Sequence, residues 1–306
     1  MKGMHEIDWS RFKDKKKLFV AADAGGANVL ASLIKTRNLQ GDYLLSNPAT
    51  RIFKDAGLIG RRIQAEQNTF REYEIMLSST GKDSGFEIQA MSHAMRAGVR
   101  VIAILDHWVN YRNRFTLDGL VYRPNAMIAT DSESIRRAKI AFGEIELFTE
   151  TNFYLKSEVN QAKLSKTIEI DFLLLDEKSG MMQKEKSPNF IFYSELVAKL
   201  MAIDSSLRIA VRPHPARKPF ELEKFEEFGI SVSRRNSLGF DIGRSLNLIG
   251  LSSMSFYIAF LAGKSIFSLE PNVSMISLPL TSVKALDFKR LEDLVSTVAL
   301  QRSLNA

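Results

Sequence analysis

The residues best suited to chemistry fall in four short segments, each following an apolar run. The first is Asp23-Ala24-Gly25-Gly26-Ala27-Asn28. Asp23 offers a carboxylate, and the adjacent glycines Gly25 and Gly26 let backbone approach a ligand where a helix N-terminus favours anions. A tight turn with Asp23 capping the helix accounts for the same residues. The Gly-x-Gly-x-x-Gly dinucleotide fingerprint is absent. The second segment is residues 78–85, continuing to Glu87. Gly81-Lys82 suggests a phosphate loop, but Met76 stands where the upstream glycine belongs and Asp83 replaces the Ser or Thr after the lysine. What remains is a hydroxyl-rich loop able to hold a sugar or carboxylate, or a plain connection.

The third segment, Asp106-His107-Trp108-Val109-Asn110-Tyr111-Arg112-Asn113-Arg114-Phe115, closes an apolar run with an Asp-His pair. It offers a general base, hydrogen-bond donors and two cations in one loop, with Arg112 or Arg114 able to grip a carboxylate. The plainer reading packs Trp108, Tyr111 and Phe115 onto the core. The fourth is a pair: Arg212-Pro213-His214-Pro215 and Ser252-Ser253-Met254-Ser255. Two prolines restrict the backbone around His214, Arg212 supplies charge for a phosphate, and the serines open a helix whose N–H groups form a second anion cradle.

The elements that must position these residues alternate strand, loop and helix. Apolar runs at residues 18–22, 43–46, 73–77, 99–105 and 126–129 read as strands, separated by helical spacing at 24–35, 49–56, 86–97 and 132–141. The β-branched and aliphatic run ending at Leu105 marks a strand buried on both faces of a parallel sheet. Between about residues 150 and 168 the chain turns polar and loses periodicity, which suggests a linker. Strands then restart at 171–175, 207–211, 230–232, 246–251 and 265–269, with helices at 189–202, 255–261 and 285–304. The pattern predicts an α/β protein of two Rossmann-like lobes facing a cleft, residues 1–160 and 161–306. Ligands in such sheets bind beyond the carboxyl ends of the strands, where all four segments fall.

Composition narrows the class further. The chain has 306 residues, no cysteine, 42 basic and 35 acidic side chains. Disulfides, thiolate catalysis and Cys-ligated metal sites are excluded, and a cytoplasmic home is favoured. A net charge of +7 suits anionic partners. The basic residues are scattered, which argues against nucleic acid, while peripheral contact with an anionic membrane face is compatible with them. Charged groups precede any apolar run at the N-terminus, the wrong order for a signal peptide. The uncharged stretch 245–263 is interrupted by serines, an asparagine and glycines, and reads as strand, loop and helix rather than a membrane span.

At His214-Pro215 and Ser252-Ser253 the sequence resembles the GT-B glycosyltransferases that use CMP-activated acidic sugars: bacterial sialyltransferases, polysialyltransferases and Kdo transferases. The resemblance spans about residues 170–275 and is architectural over the first half. It implies that His214, Pro215, Ser252, Ser253 and Ser255, with Arg212, hold the CMP of a nucleotide-sugar donor. It also implies a catalytic carboxylate in the first lobe in an acidic-Gly context. Asp23-Ala24-Gly25 is near that pattern with an intervening Ala, and Asp106, paired with His107, competes with it. The implied reaction moves a sialic, Kdo or related acid to a glycan or lipid-linked acceptor without a required cofactor. His-Glu-x-x-His and Asp-x-Asp metal spacings are absent from the sequence. CDP-glycerol phosphotransferases share the two motifs and keep a polyol-phosphate donor open. A UDP-sugar 2-epimerase and a non-catalytic anion-binding module are the remaining alternatives.

Overall fold

The computed structural model describes residues 5–58, 60–64, 69–81, 85–165, 167–177, 189–215, 217, 219–233, 237–251, 253–270, 278 and 282–305. The chain divides into two units after Lys156. The N-terminal unit runs β1 (His5–Glu6), β2 (Lys17–Ala21), α1 (Ala24–Arg37), β3 (Asp42–Leu45), α2 (Ala49–Asp55), β4 (Ile75–Ser78), α3 (Phe86–Arg96), β5 (Arg100–Ile104) and α4 (Tyr111–Arg114). A short hairpin, β6 (Thr116–Leu117) and β7 (Leu120–Val121), leads to β8 (Ala126–Ala129), α5 (Ser132–Phe142), β9 (Glu146–Thr149) and α6 (Phe153–Leu164). Seven strands form one parallel sheet in the order β1-β9-β8-β5-β4-β2-β3. The chain leaves β2 toward β3 on one side, then returns to place β4 on the other, so β2 and β4 flank the topological switch point.

The C-terminal unit runs β10 (Ile170–Leu175), α7 (Asn189–Ile203), β11 (Ile209–Arg212), α8 (Pro219–Glu227), β12 (Ser231–Val232), α9 (Leu238–Gly243), β13 (Ser245–Gly250), α10 (Met254–Leu261), β14 (Ser265–Ser268), β15 (Val283–Ala285) and α11 (Leu291–Asn305). Its parallel sheet has the order β12-β11-β10-β13-β14-β15, the doubly wound arrangement with its switch point between β10 and β13. Both sheets are apolar on two faces, as the unbroken aliphatic strands require. In the first, Phe19, Leu30 and Phe53 pack on one side and Met76, Met91 and Phe115 on the other. In the second, Phe172, Tyr193 and Phe225 centre a core that includes Val295 and Val298 of α11. Asp171, buried at the start of β10, accepts hydrogen bonds from Arg208 and from Arg302 of α11, and these partners hold its carboxyl down at about 2.

Three expectations differ from the structure. The polar stretch 150–168 is mostly helix: α6 buries only Val159 and Ala162, a stripe too narrow to show as periodicity, and the unit boundary lies inside it. The terminal helix begins at Leu291, because Val283–Ala285 pairs with β14 and Asp287 caps a turn by accepting the Lys289 N–H. β9, α8 and α9 went unread, each short and only partly apolar. The stretch 245–263 resolves into β13, a turn and α10, and no helix among the described residues is long and apolar enough to cross a membrane.

Candidate active site

Strands β2, β4 and β5 lie side by side, and the loops after them meet at their carboxyl ends. Asp23 caps α1, its Oδ1 accepting the Gly26 N–H at 2.9 Å. Glu87, 1% exposed in the first turn of α3, accepts from the Ala22 N–H at 3.0 Å and the Ser79 Oγ at 3.1 Å. Asp106 accepts from Arg114 Nη1 at 2.7 Å and Thr80 Oγ1 at 3.0 Å. Arg114 is itself buried and also donates to the Val109 carbonyl.

The glycines allow this convergence. A Cβ on Gly26 would stand 2.5 Å from Ser79 Cβ, one on Gly25 3.0 Å from Asp106 Oδ2, and one on Gly81 2.8 Å from Glu87 Oε2. Gly25 and Gly26 thus admit neighbouring protein at the turn where a ligand was expected. The hydroxyl loop is likewise engaged by protein groups. Ser78, Ser79 and Thr80 are buried and bonded to protein groups, and residues 82–84 lie outside the described residues.

Carboxylates drawn together out of water disfavour one another's ionised form. Burial first, then the charges of Asp106 and Glu87, raises Asp23 to about 7, against the opposing Gly26 N–H and Arg114. Burial also raises Glu87. Asp106 is fixed by its ion pair with Arg114. Asp23, raised to about 7, is therefore poised to exchange a proton near neutral pH.

His107 follows Asp106. Burial lowers it to about 4, beyond the opposing influence of Asp106, so its ring is neutral at pH 7. Its Nδ1 accepts the Trp108 N–H at 2.9 Å, which puts the ring proton on Nε2 and makes His107 a donor there. Trp108, Tyr111 and Phe115 are core residues, Phe115 set edge-on against Phe142. Arg114 is committed to Asp106 and Thr80, so of the two arginines expected to grip a carboxylate only Arg112 is exposed.

In the C-terminal lobe, β10 runs straight into Asp176-Glu177, beside the switch point. Asp176, 5% exposed, accepts Arg217 Nε and Nη2 at 2.7 and 2.8 Å and the His214 N–H at 3.1 Å, fixing the loop that carries His214. Glu177 Oε1 accepts the N–H groups of Leu251 at 2.9 Å and Ser253 at 3.2 Å. A carboxylate of the protein thus bonds the anion cradle expected at the start of α10. Ser253 caps α10 with extended backbone, and its buried Oγ has no hydrogen-bond partner among the described residues. Ser255 is half-buried in the first turn, and Pro215 is exposed. Ser252 lies outside the described residues.

Arg212 also has a structural role. Its Nη1 donates to the fully buried Asp241 at 2.7 Å, so this cation braces β11 against α9. Sequence reasoning missed Asp176, Glu177 and Arg217, and included Glu87 in the second segment without giving it a role. Asp176-Glu177 directly follows a buried strand, so the rule that selected Asp23 and Asp106 selects it too; Arg217 carried no such signal.

No protein-family model matches the chain, and neither does any curated protein. Solved structures do. The UDP-GlcNAc 2-epimerase from Methanocaldococcus jannaschii matches with a TM-score of 0.57 at 10% identity, over 92% of each chain. UDP-GlcNAc 2-epimerase from Neisseria meningitidis, bound to UDP-GlcNAc, gives 0.58 at 9% identity, over 95% of this chain and 93% of that one. The glycosyltransferase VinC in complex with dTDP gives 0.52 at 8% identity, over 95% and 92%. The chain shares with them the two-domain α/β architecture with parallel sheets of GT-B type.

Proposed function

We propose that this protein is a GT-B-type glycosyltransferase that moves an acidic sugar from a CMP-activated donor to a glycan acceptor with inversion at the anomeric carbon. The observation that carries the reading is Asp23, held at the β2–β4 switch point between Asp106 and Glu87 with its carboxyl raised to about 7. Such a group suits proton abstraction from an acceptor hydroxyl. A carboxylate nucleophile would have to be ionised and forward, and Asp106 is instead held back by Arg114.

In this reading CMP lies at the carboxyl ends of β10, β11 and β13. His214, positioned by Asp176, and the N–H groups opening α10 stabilise charge on the departing phosphate. Asp23 takes the proton as the acceptor oxygen bonds to the anomeric carbon and the bond to the CMP oxygen breaks. His107 Nε2–H is a donor for a sugar oxygen. The cytidine donor class rests on His214-Pro215 with Ser252-Ser253, and supporting a nucleotide-sugar donor more broadly are the UDP-GlcNAc and dTDP complexes among the structural relatives. Those epimerases favour one second reading, a UDP-sugar 2-epimerase.

Thermal unfolding with CMP, CDP, UMP, UDP and GMP separates them. Stabilisation by the cytidine nucleotides, lost in His214→Ala, is expected. Preference for uridine nucleotides moves the assignment to the epimerase, and no stabilisation by any of them rejects both.

A further inference from the structure

We propose that Glu177 is a specificity-determining residue: its carboxylate fills the position a second donor phosphate would take, so the C-terminal lobe accepts donors activated by one phosphate and disfavours those activated by two. The proposal rests on the transferase reading, which puts the donor phosphate at the carboxyl ends of β10, β11 and β13.

The geometry is that of an internal anion. Glu177 Oε1 accepts the N–H groups of Leu251, 2.9 Å away, and of Ser253, 3.2 Å away, in the turn from β13 into α10. Backbone N–H groups converging where a strand turns into a helix are the groups that bind phosphate oxygens in α/β sheets. A carboxylate is their nearest counterpart among side chains, an anion with two acceptor oxygens. Gly250 permits the approach, since a Cβ there would stand 3.1 Å from Leu175 Cβ and 3.4 Å from Glu177 Oε1. The end of β10 is itself held from below, because the buried Tyr193 donates its hydroxyl to the Leu175 carbonyl at 2.6 Å. Glu177 thus leaves the strand from a fixed point.

Charge and hydrogen bonding both separate one phosphate from two. Arg217 is paired with Asp176 and Glu221, and Arg212 with Asp241. The two guanidiniums flanking His214 are therefore each already matched by carboxylates, and a second phosphate would meet the charge of Glu177 without a surplus cation from either. Ser253 Oγ, buried and without a hydrogen-bond partner, and the first turn of α10 remain for one phosphate group. The N–H groups that a second would need are taken.

Calorimetric titration near neutral pH with CMP, CDP, UMP and UDP reads the proposal as the ratio of monophosphate to diphosphate affinity within each base. The parent should bind CMP more tightly than CDP. Glu177→Gln keeps an acceptor for the two N–H groups and removes the charge, so CDP should gain about tenfold or more and CMP only a few-fold. Glu177→Ala, which vacates both N–H groups, should close the gap further, and Glu292→Gln, at an exposed position on α11, should leave it unchanged. Circular dichroism checks that each variant is folded. A parent that binds CDP as tightly as CMP, or a ratio that Glu177→Gln and Glu177→Ala leave unchanged, overturns the proposal. If the uridine pair binds better, the cytidine reading fails, while the same ratio taken from UMP and UDP supports or overturns the role of Glu177. No binding of any of the four by parent or variants rejects both.

Discussion

Asp23 and His107 titrate over nearly the same pH interval with opposite effects on folding. Asp23 has an ordinary value of 3.8 and about 7 in the folded chain, so between these limits the folded state keeps a proton that the unfolded state has released. Its contribution to stability therefore falls as pH rises and is most unfavourable above about 7, by about 4 kcal/mol at most. Asp23→Asn keeps the cap on the Gly26 N–H and removes that cost. The variant should be more stable than the parent above pH 7 in urea unfolding, with the gain vanishing toward pH 4, and about 10²-fold or more slower in transfer. A pH-independent difference in stability would contradict the raised carboxyl. His107 works the other way. From its ordinary 6.5 down to about 4 the unfolded state binds a proton the folded state refuses, so stability drains on acidification by about 3 kcal/mol at most. Replacing it in His107→Gln should flatten the stability profile over that window. If the profile stays as steep as in the parent, the neutral assignment of His107 is wrong. In the parent the two slopes largely offset, and only the single variants reveal them.

At the scale of elements, loops that must touch decide what the site can be. The β2–α1 turn runs so close to Ser79 that Gly26→Ala forces backbone or β4 to move, costing about 1–3 kcal/mol and displacing Asp23. Chemical denaturation measures the first effect, and loss of the upward shift in the Asp23 carboxyl resonance the second. In the other lobe, Glu177 bonds the N–H groups proposed to cradle a donor phosphate. Glu177→Gln keeps an acceptor there but removes like-charge repulsion, so CMP should bind a few-fold tighter by calorimetry; weaker binding would make Glu177 part of the nucleotide site itself. The sequence was legible wherever one rule applied to one element: a buried strand followed by a polar residue led to Asp23, Asp106 and His214. It was not legible where function depends on two elements meeting. That Arg114 locks Asp106, that Asp241 draws in Arg212, and that Glu87 reaches Ser79 are contacts between residues 8, 29 and 8 positions apart across loops, and no periodicity encodes them.

At the scale of the whole molecule, the two sheets have different strand orders and separate hydrophobic cores, so each lobe has its own basis for cooperative unfolding. Substitutions confined to one core should then move one transition. Arg302→Ala removes a guanidinium from the buried Asp171 carboxylate and loosens α11, while Arg208 remains to pair the charge. The expected cost is about 1–3 kcal/mol, borne by the C-terminal lobe. Gly26→Ala falls on the N-terminal lobe. Differential scanning calorimetry should resolve two transitions, one lowered by Arg302→Ala and raised by CMP, the other lowered by Gly26→Ala and indifferent to CMP. A single transition shifted by both variants would mean that the lobes fold as one cooperative unit. CMP raising the transition that Gly26→Ala lowers would put the nucleotide on the β2–β4 loops and return Gly25 and Gly26 to the ligand-binding role their spacing first suggested.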